Sequence, residues 1–206
     1  MLLKETFSRP ERLKLYWKRT LEEMDLLGVN SLGIVALLSL FMGAVVTIQT
    51  KTNMDSPLIQ EYIVGFAVRQ STILEFSPTI ISLILAGKVG SNIAAEIGSM
   101  RVNEQIDALD IMGVNSAGYL ILPKIIASIL MNPFLVIISM FLSIFGGYLA
   151  GVGTGIVGGT DFIQGIQSDF DPYHVTYALI KTVVFAFIIA TVSAYQGYYT
   201  SGGTRE

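Results

Sequence analysis

Glu75, Lys88 and Glu96 are the ionisable residues of a stretch, 73–98, that is otherwise apolar or small; Arg101, Glu104, Asp107 and Asp110 follow directly after it. Ionisable groups within an apolar run usually face a bundle interior or a wet cavity and mark a transport path. Charges clustered just beyond such a run dock a partner. Catalysis is not expected, because no nucleophile, base and orienting group fall into a usable arrangement. There is no cysteine, so thiol chemistry, disulfides and thiolate metal sites are excluded. His174, the single histidine, lies beside Pro172 and has no second ligand at metal spacing. Residues 153–158, GTGIVG, match a dinucleotide fingerprint in letters only, since no strand precedes them. Gly87 and Lys88 lack the upstream glycine of a phosphate loop, and Val89 stands where such a loop needs Ser or Thr. The chain is therefore expected to need no cofactor and no metal, to have no nucleic-acid partner and not to be an enzyme.

The elements that must position these residues are membrane helices. Of the 206 residues 52% are hydrophobic and 14% charged, with mean hydropathy +0.61, against about 25% charged in an ordinary soluble domain. Residues 26–50, 125–160 and 182–204 carry no Asp, Glu, Lys or Arg, and each run exceeds the ~20 residues needed to cross the hydrocarbon core. An all-α integral membrane protein follows, read as one domain over 1–206. Lys4, Arg9, Arg12, Lys14, Lys18 and Arg19 outnumber Glu5 and Glu11 at the start, which places that end in the cytoplasm by the positive-inside rule. No signal peptide is expected there, because about 25 residues of mixed charge precede the first apolar run. Ser8 and Glu11 have capping-box spacing around Pro10, and Leu13, Tyr16, Trp17, Thr20, Leu21 and Met24 repeat at helical spacing. Residues 1–25 are thus expected to form an amphipathic helix lying in the interface.

About four crossings are expected within 26–206: residues 26–50, 74–98, 116–147 and 175–197, with a short surface or re-entrant helix at 57–72 and a glycine-rich stretch at 146–159. The loop before the last crossing carries Asp161, Asp169 and Asp171 without Lys or Arg, as an external loop should. In the second crossing Ser82, Ala86, Gly90, Ala94 and Gly98 recur every fourth position, beside a parallel column of Gly87, Ser91 and Ala95. Small columns of this kind let membrane helices pack closely. Lys88, Asn92 and Glu96 occupy another face, at 100° per residue, and are candidates for the transport path. A Lys88 that snorkels to the interface, or pairs structurally with Glu75 or Glu96, is the simpler alternative. Ser99 is expected to cap a short amphipathic helix that Gly113 ends, with Val102, Ile106 and Leu109 on one face and Glu104, Asp107 and Asp110 around the rest. An acidic helix is not what an anionic inner leaflet would select; tied to two crossings, it is a lever for a protein partner.

The run EFSPTIISLILAGKVGSNIAAEIGSMRVNEQIDALDIMGVN, residues 75–115, resembles the signature of the MlaE (YrbE) permeases, membrane subunits of ABC transporters that move phospholipid between bacterial membranes. SPLIQEYIVGFAVRQS, LPKIIASILMNPFL and YQGYYTSGG extend the resemblance over nearly the whole chain. The resemblance implies a homodimer in the inner membrane, a cytoplasmic ABC ATPase, an external MCE-domain lipid-binding protein and a phospholipid substrate. It implies that Arg101, Glu104, Gln105, Asp107, Ala108, Leu109, Asp110 and Gly113 belong to an ATPase-coupling helix, and that Glu75, Pro78, Lys88 and Glu96 line or shape the lipid path. The family pattern has a fifth crossing, so the last helix is expected to be missing from these 206 residues. An ATPase-independent transporter or channel conducting through Lys88, Glu75 and Glu96 is the alternative, and a non-transporting scaffold a third reading.

Overall fold

In the computed structural model, residues 2, 6, 13–54 and 60–201 are described. The expected capping box at residues 8–11, the basic residues before Leu13 and Pro57 lie outside them. Four helices are long and apolar enough to cross a membrane: α1 (Tyr16–Asn53), α2 (Tyr62–Val102), α4 (Ser116–Gly153) and α6 (Pro172–Tyr198). Two short helices, α3 (Gln105–Ile111) and α5 (Gly159–Gln167), join them. No strand occurs among the described residues.

Three expected boundaries differ from the structure. The segment before the first crossing is not set apart from it, because the helix that begins at Leu13 runs through a π turn, Met24–Gly28, and a 3-10 turn, Val29–Ser31, into Leu32–Asn53. The short helix expected at 57–72 and the second crossing are one rod, α2, joined through the π segment Thr72–Ile80. A wide turn absorbs Pro78, which has no N–H to give the carbonyl four residues back. That carbonyl, of Leu74, accepts a hydrogen bond from Lys181 Nζ at 3.2 Å. The glycine-rich stretch is helical up to Gly153; the chain turns at Gly155, whose φ of +69° favours glycine. Gly155 N–H donates to Val152 O and Ile156 N–H to Gly151 O, the double closure of a Schellman motif.

The chain divides into two compact units. One comprises Met1–Ser31, Leu83–Asn132 and Val183–Glu206; the other comprises Leu32–Ser82 and Pro133–Thr182. In the second unit Val46, Val64, Val68, Val157 and Phe162 form a core under Tyr148, Phe76, Ile156 and Ile166. There α5 lies against the first turns of α2, at glycine spacing: a Cβ on Gly65 would stand 2.4 Å from Phe162 O, and one on Gly165 would stand 2.0 Å from Tyr62 O. Van der Waals contact at this range needs bare backbone on both sides, which is how membrane helices gain packing energy when hydrophobicity cannot drive it. Hydroxyls bridge the same unit, with Ser39 Oγ donating to Ser139 Oγ at 2.8 Å and Ser139 Oγ to Ser77 Oγ at 3.2 Å. The first unit contains the end of α2, all of α3, the start of α4 and the end of α6, around buried Ile93, Ile97, Ile106, Ile121 and Ile125.

Candidate functional site

The charged stretch after the second crossing forms two elements rather than one. Helix α2 continues through Ser99 to Val102, so Ser99 does not cap a new helix. The chain turns at Asn103 and at Glu104, whose φ of +58° is left-handed. Outside glycine that conformation costs about 1–2 kcal/mol, and it persists where the surroundings hold it. Here the Glu104 N–H donates to Arg101 O and its carbonyl accepts from Ala108 N–H, while Arg101, still on α2, pairs across the turn with Asp107 on α3, Nη1 to Oδ1 at 2.6 Å. Gly113 ends α3 as expected, at φ +76°. Its N–H donates to Asp110 O and that of Val114 to Leu109 O, a second Schellman closure.

Among the expected inner face, Ile106 is fully buried, with Val102 and Leu109 half-buried. Glu104, Gln105, Asp107, Ala108 and Asp110 are exposed. Ile111 and Met112, which the sequence pattern does not single out as surface residues, are 87% and 68% exposed. An exposed apolar pair therefore borders the exposed carboxylates of Asp107 and Asp110. The tie extends to the last helix: Arg101 Cζ lies 6.0 Å from the centroid of the Tyr198 ring, and the Tyr198 hydroxyl is 3.0 Å from Ser116 Oγ at the start of α4. Thus α2, α3, α4 and α6 meet at one set of side chains.

The small-residue column also meets α6. A Cβ on Gly90 would stand 2.7 Å from Ser193 Oγ, one on Gly197 would stand 2.7 Å from Ala94 O, and one on Gly98 would lie 3.5 Å from Thr200 Oγ1. Ala86 is half-buried; Ser82, in the other unit, is buried with its Oγ unpartnered. The parallel column of Gly87, Ser91 and Ala95 is exposed, and nothing stands within 4 Å of a Cβ on Gly87.

The candidate path residues are divided between the units. Glu75 and Pro78 lie in the π segment Thr72–Ile80, and Lys88 lies in a second π turn, Ala86–Gly90. π turns inside α-helices are frequent at functional positions. Glu75 Oε2 pairs with Lys181 Nζ at 3.0 Å. Lys88 Nζ donates to the Asn30 carbonyl and forms no pair with Glu96. Asn92 and Glu96 are exposed.

Glu96 Oε2 is instead 2.7 Å from Lys124 Nζ, which also bonds Glu23 Oε1 at 2.5 Å. Lys124 is 2% exposed, a long cationic side chain buried almost completely. Sequence reasoning passes over Lys124, Lys181 and Arg69. The criterion that selects Lys88, a lone ionisable residue within an apolar run, selects Lys124 and Lys181 as well.

Four helices long and apolar enough to cross a membrane, with a short charged helix tied between the second and third, have the make-up of a membrane permease subunit. The permease MlaE family model matches residues 20–206, and the chain belongs to that family. A probable ABC transporter permease of Rickettsia bellii (strain RML369-C) is 37% identical over 194 residues, covering 94% of this chain and 74% of the relative. The intermembrane phospholipid transport system permease protein MlaE of Haemophilus influenzae is 30% identical over 199 residues, 96% of this chain and 76% of that protein. The chloroplastic protein TRIGALACTOSYLDIACYLGLYCEROL 1 of Arabidopsis thaliana is 32% identical over 192 residues, 93% of this chain and 55% of the relative. The chain is a multi-pass permease of the ABC transporter class.

Proposed function

We propose that this chain is the inner-membrane subunit through which phospholipid moves in an ABC system, driven by ATP hydrolysis on a separate cytoplasmic subunit. The observation that carries the reading is α3, a seven-residue helix clamped to α2 by Arg101 and Asp107 and closed onto α4 by Gly113, with Asp110, Ile111 and Met112 outward. A partner that displaces such a helix displaces the ends of both crossings. The substrate class follows the name of the Haemophilus relative. The N-terminus is then cytoplasmic, two copies of the chain enclose the path, and an MCE-domain protein receives or delivers lipid outside.

Glu75, Pro78, Lys88, Asn92 and Glu96 shape that path, and the column Ser82, Ala86, Gly90, Ala94 and Gly98 is the surface on which helices slide. The pairing of Glu75 with Lys181 and of Glu96 with Lys124 favours this over an ion path, which needs carboxylates free to load a cation. Reconstitution with the cognate ATPase in vesicles carrying a fluorescent phospholipid tests the reading. ATP-dependent lipid transfer is expected, and Gly90→Leu, forced against Ser193 and Ile189, should slow it at least tenfold with the ATPase still bound. Transfer that is absent from the wild type, or that runs on an ion gradient without ATP, contradicts it.

A further inference from the structure

Tyr198 is the last residue of α6, yet its side chain touches both ends of the connection that carries α3. On the incoming side its ring centroid stands 6.0 Å from Cζ of Arg101, at the outer limit of cation–π reach, and Arg101 is the residue that pairs with Asp107 on α3. On the outgoing side its hydroxyl is 3.0 Å from Oγ of Ser116, the first residue of α4. Ser116 is a firm anchor: it is 2% exposed and follows Asn115, whose Oδ1 caps α4 by accepting the Gly118 N–H at 3.1 Å. The two contacts bracket residues 102–115, so a tilt of α3 that strains either joint is felt at Tyr198.

The neighbouring residue, Gly197, meets α2 with bare backbone, since a Cβ there would stand 2.7 Å from Ala94 O. Such contact packs two helices closely with no side chain to lock their register, the condition for a small shear between them. The end of α6 is thus tied to the mounting of α3 by directional contacts and laid on α2 by a smooth one. We propose that Tyr198 is a positioning residue that carries displacement of α3 to α6, so that the last crossing shifts together with the ends of α2 and α4. The inference rests on the permease reading above and deepens it, because that reading moves only the two crossings that flank α3. Phenylalanine at this position keeps the ring beside Arg101 and deletes only the bond to Ser116.

Hydrogen exchange of the purified full chain in detergent, followed over residues 190–199, tests the tie without a partner. Asp107→Asn loosens α3 and Tyr198→Phe removes the hydroxyl; each alone is expected to raise exchange at least threefold, and both together no more than either alone, as coupled residues behave. Ser116→Ala, which removes the other half of the bond, should reproduce Tyr198→Phe. Effects that multiply in the double variant, or exchange that Asp107→Asn leaves unchanged, overturn the tie. In vesicles with the cognate ATPase, Tyr198→Phe should keep ATP hydrolysis within twofold of wild type while the lipid moved per ATP falls at least fivefold, a split that loss of stability alone does not produce. Lipid moved per ATP at the wild-type value overturns the role of Tyr198. A wild type that moves no lipid with ATP contradicts the proposed function instead, and the exchange result then decides the tie by itself.

Discussion

Lys124 and Arg69 are buried to the same extent, 2% exposed each, yet their surroundings answer the buried charge in opposite ways. Lys124 meets two carboxylates at 2.5 and 2.7 Å, from α1 and α2, so three helices close on one ammonium and no positive charge remains. Arg69 meets three backbone carbonyls and two aromatic rings, which satisfy its geometry and leave its charge. A compact ammonium suits a closed knot, whereas a planar fork can hold several carbonyls of a helix end at once. Burial alone therefore does not say how a charge is held; the chemistry of its partners does.

Breaking the closed side has the largest expected effect. Lys124→Met leaves Glu23 and Glu96 facing each other without their cation, and loss of one partner from a buried pair costs about 3–5 kcal/mol. Thermal unfolding in detergent should show it, and adding Glu23→Gln and Glu96→Gln should restore most of the loss. Recovery that fails would mean that Lys124 acts through its alkyl packing. Opening the other side is more local: Arg69→Met removes the donor from three carbonyls at and beyond the end of α5, where water can take over part of the bonding. Limited proteolysis should then cut at Ser168 to Asp171 while the region around Lys124 stays protected.

Asp107→Asn sharpens the contrast between stability and coupling. Its pair with Arg101 is partly exposed, 37% and 52%, so stability should fall by less than about 1 kcal/mol, while ATP-driven transfer should fall severalfold as α3 loses its tie to α2. The smallest effect is expected at Glu61, whose carboxyl is held below its ordinary value by the hydrogen bond from Lys51 at 3.1 Å, by the charge of Lys51 and by the Gly158 backbone. A depressed folded value means that the clasp contributes fully above the ordinary carboxylate range and is lost as pH falls through the depressed value. Melting temperature should therefore decline on acidification less steeply for Glu61→Gln than for the wild type.

Crossings are legible because charge-free runs longer than ~20 residues have few other uses, and Gly113 as a helix end follows from glycine's tolerance of positive φ. The joins are not. The boundary expected between 57–72 and 74–98 is a π segment, Thr72–Ile80, that carries the helix on past Pro78, and Lys181 takes the carbonyl that the proline leaves. The break expected near residue 25 is likewise a π turn, Met24–Gly28. Helix α5 escapes a reading of the sequence because its glycines look like loop punctuation, although Gly65 and Gly165 are small for close packing. Lys88 stands out as an isolated intramembrane cation; Lys124 and Lys181 meet the same criterion, but their glutamates come from helices far away in the chain, which no local pattern reports.

The central claim is that the chain is driven through α3, and co-purification from native membranes in mild detergent tests it most directly, wild type beside Asp110→Arg. Asp110 is exposed and makes no ion pair among the described residues, so the substitution reverses the docking charge while leaving the Arg101–Asp107 tie in place. An ABC ATPase recovered with the wild type and lost from the variant is the predicted result. An ATPase retained by the variant at wild-type level, or absent from both, would contradict α3 as the docking element.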